Sequence, residues 1–182
     1  GGICQISSTL YNAVLMANLE VTDRSNHQFV TSYLPAGRDA TVVYGLTDFQ
    51  FRNSRKTPVK INASISGGIA TISIFGMKDE EDTTVTFETR TIATLPVTVK
   101  YVEVPSLAPG EEVTKQSGHT GVITEQYIIK SKDGNIVSKS LLSKDTYNAM
   151  QTIINRGVGA APVAAPVEQP PVNEGDAGVN AA

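Results

Sequence analysis

The stretch PVKINASISGGIATISIFG, residues 58–76, decides how the middle of the chain folds. Val59, Ile61, Ala63 and Ile65 alternate with Lys60, Asn62 and Ser64, Gly67-Gly68 interrupts, and Ile72 and Ile74 resume the alternation beside Thr71 and Ser73. A period of two on both sides of a two-glycine loop is the pattern of a β-hairpin. With one apolar and one polar face, the pair belongs to an antiparallel sheet packed on one side only.

Upstream of the hairpin, Phe49 to Arg52 and the β-branched run Ala40 to Tyr44 read as strands on either side of the Gly45 break. Gly37-Arg38-Asp39 reads as a turn, Val30 to Tyr33 as a short extended segment, and Glu20 to Arg24 as the approach to a strand. At the start, Leu10, Val14 and Ala17 recur at helical spacing through residues 7–19. The Ser7-Ser8-Thr9 cluster reads as helix capping.

Downstream, the acidic connector at 77–82 lacks the glycine turn and distal glutamate of a calcium loop, so it reads as a solvated turn. Thr83 to Thr94 alternates around Val85 and Phe87 and is expected to add one strand to the hairpin's sheet. The pattern restarts at Leu95-Pro96. Pro96 to Val104 and Glu111 to Gln116 are strands, and Val122 to Lys130 pairs with Asn135 to Leu142 across Asp133-Gly134, a strong hairpin turn. From Gly157 the chain is Ala, Val, Pro, Gly and acidic residues without periodicity, a composition of disorder. The expected class is α+β: one N-terminal helix packed on an antiparallel sheet over 1–94, an all-β unit over 95–157, and a disordered tail over 158–182.

Charge narrows the partners. The formal net charge of −3 comes from 15 Lys and Arg against 18 Asp and Glu, and Glu168, Glu174 and Asp176 all lie in the tail, which has no basic residue. The body is therefore formally neutral, with no basic stripe for a nucleic-acid backbone, and no nucleic-acid partner is expected. No apolar run is long enough to span a bilayer, so a membrane is expected only through an anchor upstream of Gly1.

The single cysteine excludes an internal disulfide framework. Cys4 falls at or just before a helix N-terminus, where unpaired N–H groups and the helix dipole favour a thiolate. It reads either as a nucleophile or as a small buried hydrophobe. In the first reading His27 is the base and Asp39 orients it, with Gln5 as an amide donor to an oxyanion. That order is similar to the transglutaminase-like and papain-type arrangements. In the second, His27 hydrogen-bonds across a turn, and Arg38 holds Asp39 in a structural pair. Tyr11, Tyr33 and Tyr44 are either core aromatics with one wet end or faces that stack on sugar rings. Gln5, Tyr11, Tyr33 and Arg38 are the candidate substrate-binding set. His119, between glycines, reads as a loop residue. One cysteine and two distant histidines make a poor zinc site, so neither a metal site nor a cofactor is expected.

The run GGICQISSTLYNAVLMANLE (1–20), with Arg24, Asn26-His27, SYLPAGRDATVVYG (32–45) and FRN (51–53), resembles the VanW family. Family members usually carry more of the domain ahead of this motif, so residues 1–94 look like its C-terminal part. The run VPSLAPGEEVTKQSGHTGVITEQYIIKSKDGNIVSKSLLSKDT (104–146), closed by Asn155-Arg156-Gly157, resembles the G-five domain, whose five glycines would be Gly110, Gly118, Gly121, Gly134 and Gly157. The resemblance implies an elongated module of thin sheets and an extracytoplasmic protein of the bacterial cell wall or surface. It also implies binding of peptidoglycan or another N-acetylglucosamine-containing polymer. The alternative is a cysteine-dependent acyl transferase or amidase acting on peptidoglycan stem peptides through Cys4, His27 and Asp39.

Overall fold

The computed structural model describes residues 2–80 and 82–159; the tail expected to be disordered lies, from residue 160 on, outside the described residues. Among the described residues one helix, α1 (Ile3–Met16), precedes ten strands: β1 (Glu20–Asp23), β2 (Gln50–Arg52), β3 (Val59–Ser66), β4 (Ile69–Gly76), β5 (Thr84–Leu95), β6 (Val99–Val104), β7 (Glu112–Gln116), β8 (Gly121–Lys132), β9 (Asn135–Tyr147) and β10 (Thr152–Gly157). The class is α+β, with the helix against antiparallel strands and the later strands all β.

The 58–76 hairpin forms in the expected register, but its apolar face is not packed as expected: β3 is exposed from Lys60 onward, Ile61 and Ile65 included. β3 and β4 pair in unbroken antiparallel register from Val59–Gly76 to Ser66–Ile69. The strand at 84–95 departs from its expected place. β5 pairs with β8, which in turn pairs with β9, so it extends the downstream sheet and leaves β3–β4 a two-stranded ribbon. Periodicity identified the strand, but period two is blind to which edge it joins.

A second correction concerns Ala40 to Tyr44. This run forms no strand, only an isolated bridge between Val43 and Thr47. Its backbone is satisfied by the helix instead: the Ser7 hydroxyl donates to the Ala40 carbonyl at 2.6 Å, and the Ala40 N–H donates to Ser8 Oγ at 3.0 Å. Ser7 and Ser8 are therefore buried anchors for an irregular segment, while the residue ahead of the helix is Gly2, which makes no side-chain cap. Val30 to Tyr33 is likewise irregular.

The core gathers on the helix. Tyr11, Leu15 and Ala40 are buried together, with Val21, Phe49, Phe87 and Leu142 packed against them. Phe87 lies on β5 and Leu142 on β9, so the helix's apolar face is closed in part by the downstream sheet. The sheet β6-β10-β7 is different, for no residue of 96–120 is buried. Its last strand is its central one: β10 runs parallel to β6 and antiparallel to β7.

Two glycines carry geometry that another residue would meet only at a cost. Gly134 turns the β8–β9 hairpin at φ 80°, and a Cβ on Gly157 would overlap the carbonyl oxygen of Ala108. The Gly134→Ala change meets no neighbour and should cost about 1–2 kcal/mol, the penalty for an L side chain in left-handed geometry. The Gly157→Ala change collides with backbone and should exceed the roughly 1–3 kcal/mol of ordinary overpacking. Urea unfolding of the two variants beside wild type checks the order.

Candidate functional site

The site is built around Asp39, 1% exposed, just after the turn at Gly37-Arg38. Its Oδ1 accepts from the Tyr147 hydroxyl at 2.5 Å and from Arg24 Nη2 at 3.1 Å. Its Oδ2 accepts from the His27 backbone N–H at 2.7 Å and stands 2.6 Å from His27 Nδ1. Burial pushes the Asp39 carboxyl up, but the bonds from Tyr147 and His27 and the Arg24 charge outweigh it and hold the group below the usual carboxylate range.

Arg24 is clamped on two sides. Nη1 donates to Asp145 Oδ1 at 2.5 Å and Nε donates to the Asp39 carbonyl at 2.6 Å. Ser143 donates to the other oxygen of Asp145 at 2.8 Å. Tyr147 is buried, its oxygen accepts the Gly37 N–H at 2.6 Å, and burial followed by the bond to Asp39 pushes its phenol well up. The segment around His27 is also tied to the end of β9 through backbone: Asn148 N–H donates to the Gln28 carbonyl at 2.7 Å and the Asn26 amide to the Thr146 carbonyl at 2.9 Å.

Cys4 occupies the first turn of α1, half-buried, and its thiol donates to the Val42 carbonyl at 3.6 Å. The hydroxyl of Tyr33 lies 3.5 Å from His27 Nε2. Burial pushes the Tyr33 phenol up; the Ser8 hydrogen bond opposes this, and the nearby Cys4 and Asp39 add to it. The structure thus bonds His27 to Asp39 and sets the Tyr33 phenol beside His27 Nε2, while the Cys4 thiol is turned to the Val42 carbonyl.

Gln5 and Tyr33 line an open cleft of about 560 Å³ between the start of α1 and the β3–β4 turn, with Thr9, Ile6, Leu34 and Ile65. Tyr44 is fully exposed at a second cleft, which shares Ile3 with the first. The other two proposed binding residues lie elsewhere. Tyr11 is 2% exposed, edge-on to Phe49 at 5.5 Å between centroids, and offers no face to a ligand. Arg38 stacks over Phe87 at 3.7 Å and donates to Asn12 Oδ1 at 2.6 Å; it does not pair with Asp39, a role taken by Arg24. Among the described residues no group of three His, Cys, Asp or Glu could hold a metal, and no helix is long and apolar enough to cross a membrane.

Residues 1–75 match the family model for VanW like protein, and residues 79–158 match that for the G5 domain. The chain is a VanW-like segment followed by a G5 domain. The VanW-like segment is similar to the uncharacterized protein YoaR of Bacillus subtilis (strain 168), with 47% identity over 75 residues, 41% of this chain. The match spans 25% of that relative's length. The G5 domain is similar to the IgA1 protease G5 domain structure, at 25% identity over 44% of this chain and 96% of that one, with a TM-score of 0.30. The crystal structure of HP0197-G5 is 24% identical over 40% of this chain and 97% of that one, with a TM-score of 0.25.

The buried network therefore crosses the two parts: Arg24, His27 and Asp39 come from the VanW-like segment, Ser143, Asp145 and Tyr147 from the G5 domain. Sequence reasoning missed Asp145 and Tyr147. Their alternate positions at the end of β9 place both on one face, but no local signal points from there to Asp39.

Removing one partner of a buried ion pair leaves the other charge uncompensated, so the Asp39→Asn variant should lose about 3–5 kcal/mol at neutral pH. The folded Asp39 titrates below its unfolded value, so its contribution is complete above the ordinary carboxylate pKa of about 3.9 and is lost as pH falls through the folded value. Urea unfolding as a function of pH should show wild type converging toward the variant below about pH 4.

Proposed function

We propose that this is an extracytoplasmic, cell-wall-associated protein that binds peptidoglycan or another N-acetylglucosamine-containing polymer. The observation that carries the reading is the cleft beside the start of α1. It is open, mainly apolar in its lining, and furnished with an amide from Gln5, a hydroxyl from Thr9 and the ring of Tyr33. Those are the groups that recognise a neutral sugar: an aromatic face for its C–H surface, and donors and acceptors for its hydroxyl and acetamido groups. The exposed ring of Tyr44 adds a second stacking face nearby. A formally neutral body suits a partner recognised by stacking and hydrogen bonds more than by charge. The G5 domain supports the same class of ligand, since the resemblance implies binding to amino-sugar polymers.

Cosedimentation with purified cell-wall sacculi tests the reading. The chain should pellet with them, and Tyr33→Ala should weaken the association about tenfold, the equivalent of the roughly 1–1.5 kcal/mol of one aromatic stack. A chain that stays in the supernatant sinks the proposal.

A second reading is favoured by one observation, the 2.6 Å contact between Asp39 and His27 Nδ1. A histidine oriented by a buried carboxylate near a cysteine at a helix start is the equipment of an acyl transferase or amidase. Its substrates would be peptidoglycan stem peptides. Catalysis through Cys4 requires its thiol to leave the Val42 carbonyl and reach His27 Nε2. The expected result is alkylation of Cys4 well below the free thiol pKa of about 8.5, with that reactivity lost in His27→Ala. An ordinary or inaccessible thiol indifferent to His27 leaves only the binding role.

A further inference from the structure

We infer that the G5 domain completes the His27 site: Tyr147, with Asp145 behind Arg24, is a positioning residue that holds His27 as its Nδ1–H tautomer and leaves Nε2 bare toward Tyr33. The inference deepens the cysteine-dependent reading, for which a bare Nε2 is the base, but its geometry is measurable apart from any turnover.

The assignment follows from counting protons. A carboxylate is an acceptor only, with two sites on each oxygen. Asp39 has four neighbours within hydrogen-bond distance, two on each oxygen, and it is cut off from water. The His27 backbone N–H and the Arg24 guanidinium can only donate. The Tyr147 oxygen already accepts the Gly37 N–H, and its own proton goes to Asp39 Oδ1. The fourth neighbour, His27 Nδ1, faces an oxygen that is itself an acceptor, so Nδ1 must carry the proton. A neutral imidazole has one N–H, which leaves Nε2 with its lone pair directed to the side where the Tyr33 hydroxyl lies at 3.5 Å.

The carboxylate can dictate a tautomer only while it cannot rotate; Arg24 and the His27 backbone N–H hold it from its own side, and β9 supplies the rest of that constraint. Tyr147 fixes Oδ1 directly. Asp145 fixes it indirectly, because it holds the Arg24 guanidinium at 2.5 Å and is itself held by Ser143. Substituting Tyr147 by Phe keeps the ring in its buried place and removes only the hydroxyl. Oδ1 then retains Arg24 alone, and the carboxylate gains freedom to turn away from His27.

Long-range proton–nitrogen correlation spectra of the ¹⁵N-labelled full chain test this, recorded where the imidazoles are neutral. The chain has two histidines, so His119→Gln assigns the signals, and His119 serves as the internal reference in the other variants. Wild-type His27 should show a protonated Nδ1 and a bare Nε2, and Tyr147→Phe should move both nitrogen shifts toward the tautomer average without moving those of His119. Asp145→Asn should do the same to a smaller extent and serves if Tyr147→Phe fails to fold. A protonated or averaged Nε2 in wild type overturns the inference. So does a folded Tyr147→Phe variant with the tautomer unchanged, or an equal loss in Val14→Ala, which loosens the core without touching the network. A locked tautomer with an inert Cys4 removes the catalytic reading alone; an averaged tautomer with a reactive Cys4 removes this inference alone.

Discussion

The carboxylate of Asp39 is the constraint on which the rest of the molecule depends. Desolvating an ion costs several kcal/mol, and the cost is recovered only where every lone pair is met. Meeting them takes Arg24 and His27 from before the hairpin and, more than a hundred positions on, Tyr147 from the end of β9. A buried charge satisfied in this way gives little net stability, yet it tolerates no alternative packing, because any shift strands a charge. The network therefore sets the register between the VanW-like segment and the G5 domain more than it strengthens either.

Around that point the apolar core is small and local. Tyr11, Leu15 and Ala40 are closed over by Val21, Phe49, Phe87 and Leu142. Beyond it the protein turns to backbone pairing, and in β6-β10-β7 the strands meet with almost nothing buried between them. Segment 40–42 follows the same economy: the Ser7 hydroxyl and the Cys4 thiol donate to carbonyls, and Ser8 Oγ accepts an N–H, that a neighbouring strand would otherwise have met.

What could be read from the sequence was local. The alternation from Val59 to Ile74 and the Asp133-Gly134 turn gave two hairpins in their observed places, and the spacing of Leu10 and Val14 gave the helix. Long-range partners were not legible. β5 has the pattern of a strand and no residue that names β8; Ala40 to Tyr44 has β-branched side chains and no edge to join. At the site, the order Cys4, His27, Asp39 was readable, and the Asp39–His27 contact exists. Tyr11 and Arg38 stay open candidates in sequence because an aromatic or a guanidinium looks the same there whether it faces solvent or Phe49 and Phe87.

The placement of β10 between β6 and β7 has a consequence for synthesis. A ribosome releases β6 and β7 more than thirty-five residues before the strand that separates them, and neither has another partner in that sheet. Until Thr152 to Gly157 emerge, both carry unpaired backbone, with Val99, Tyr101 and Val113 exposed. The sheet must close late, by insertion of its middle member, and the loop entropy of that step is spent before any of its contacts form. For a nascent chain, the vulnerable interval is the time between completing β7 and delivering β10.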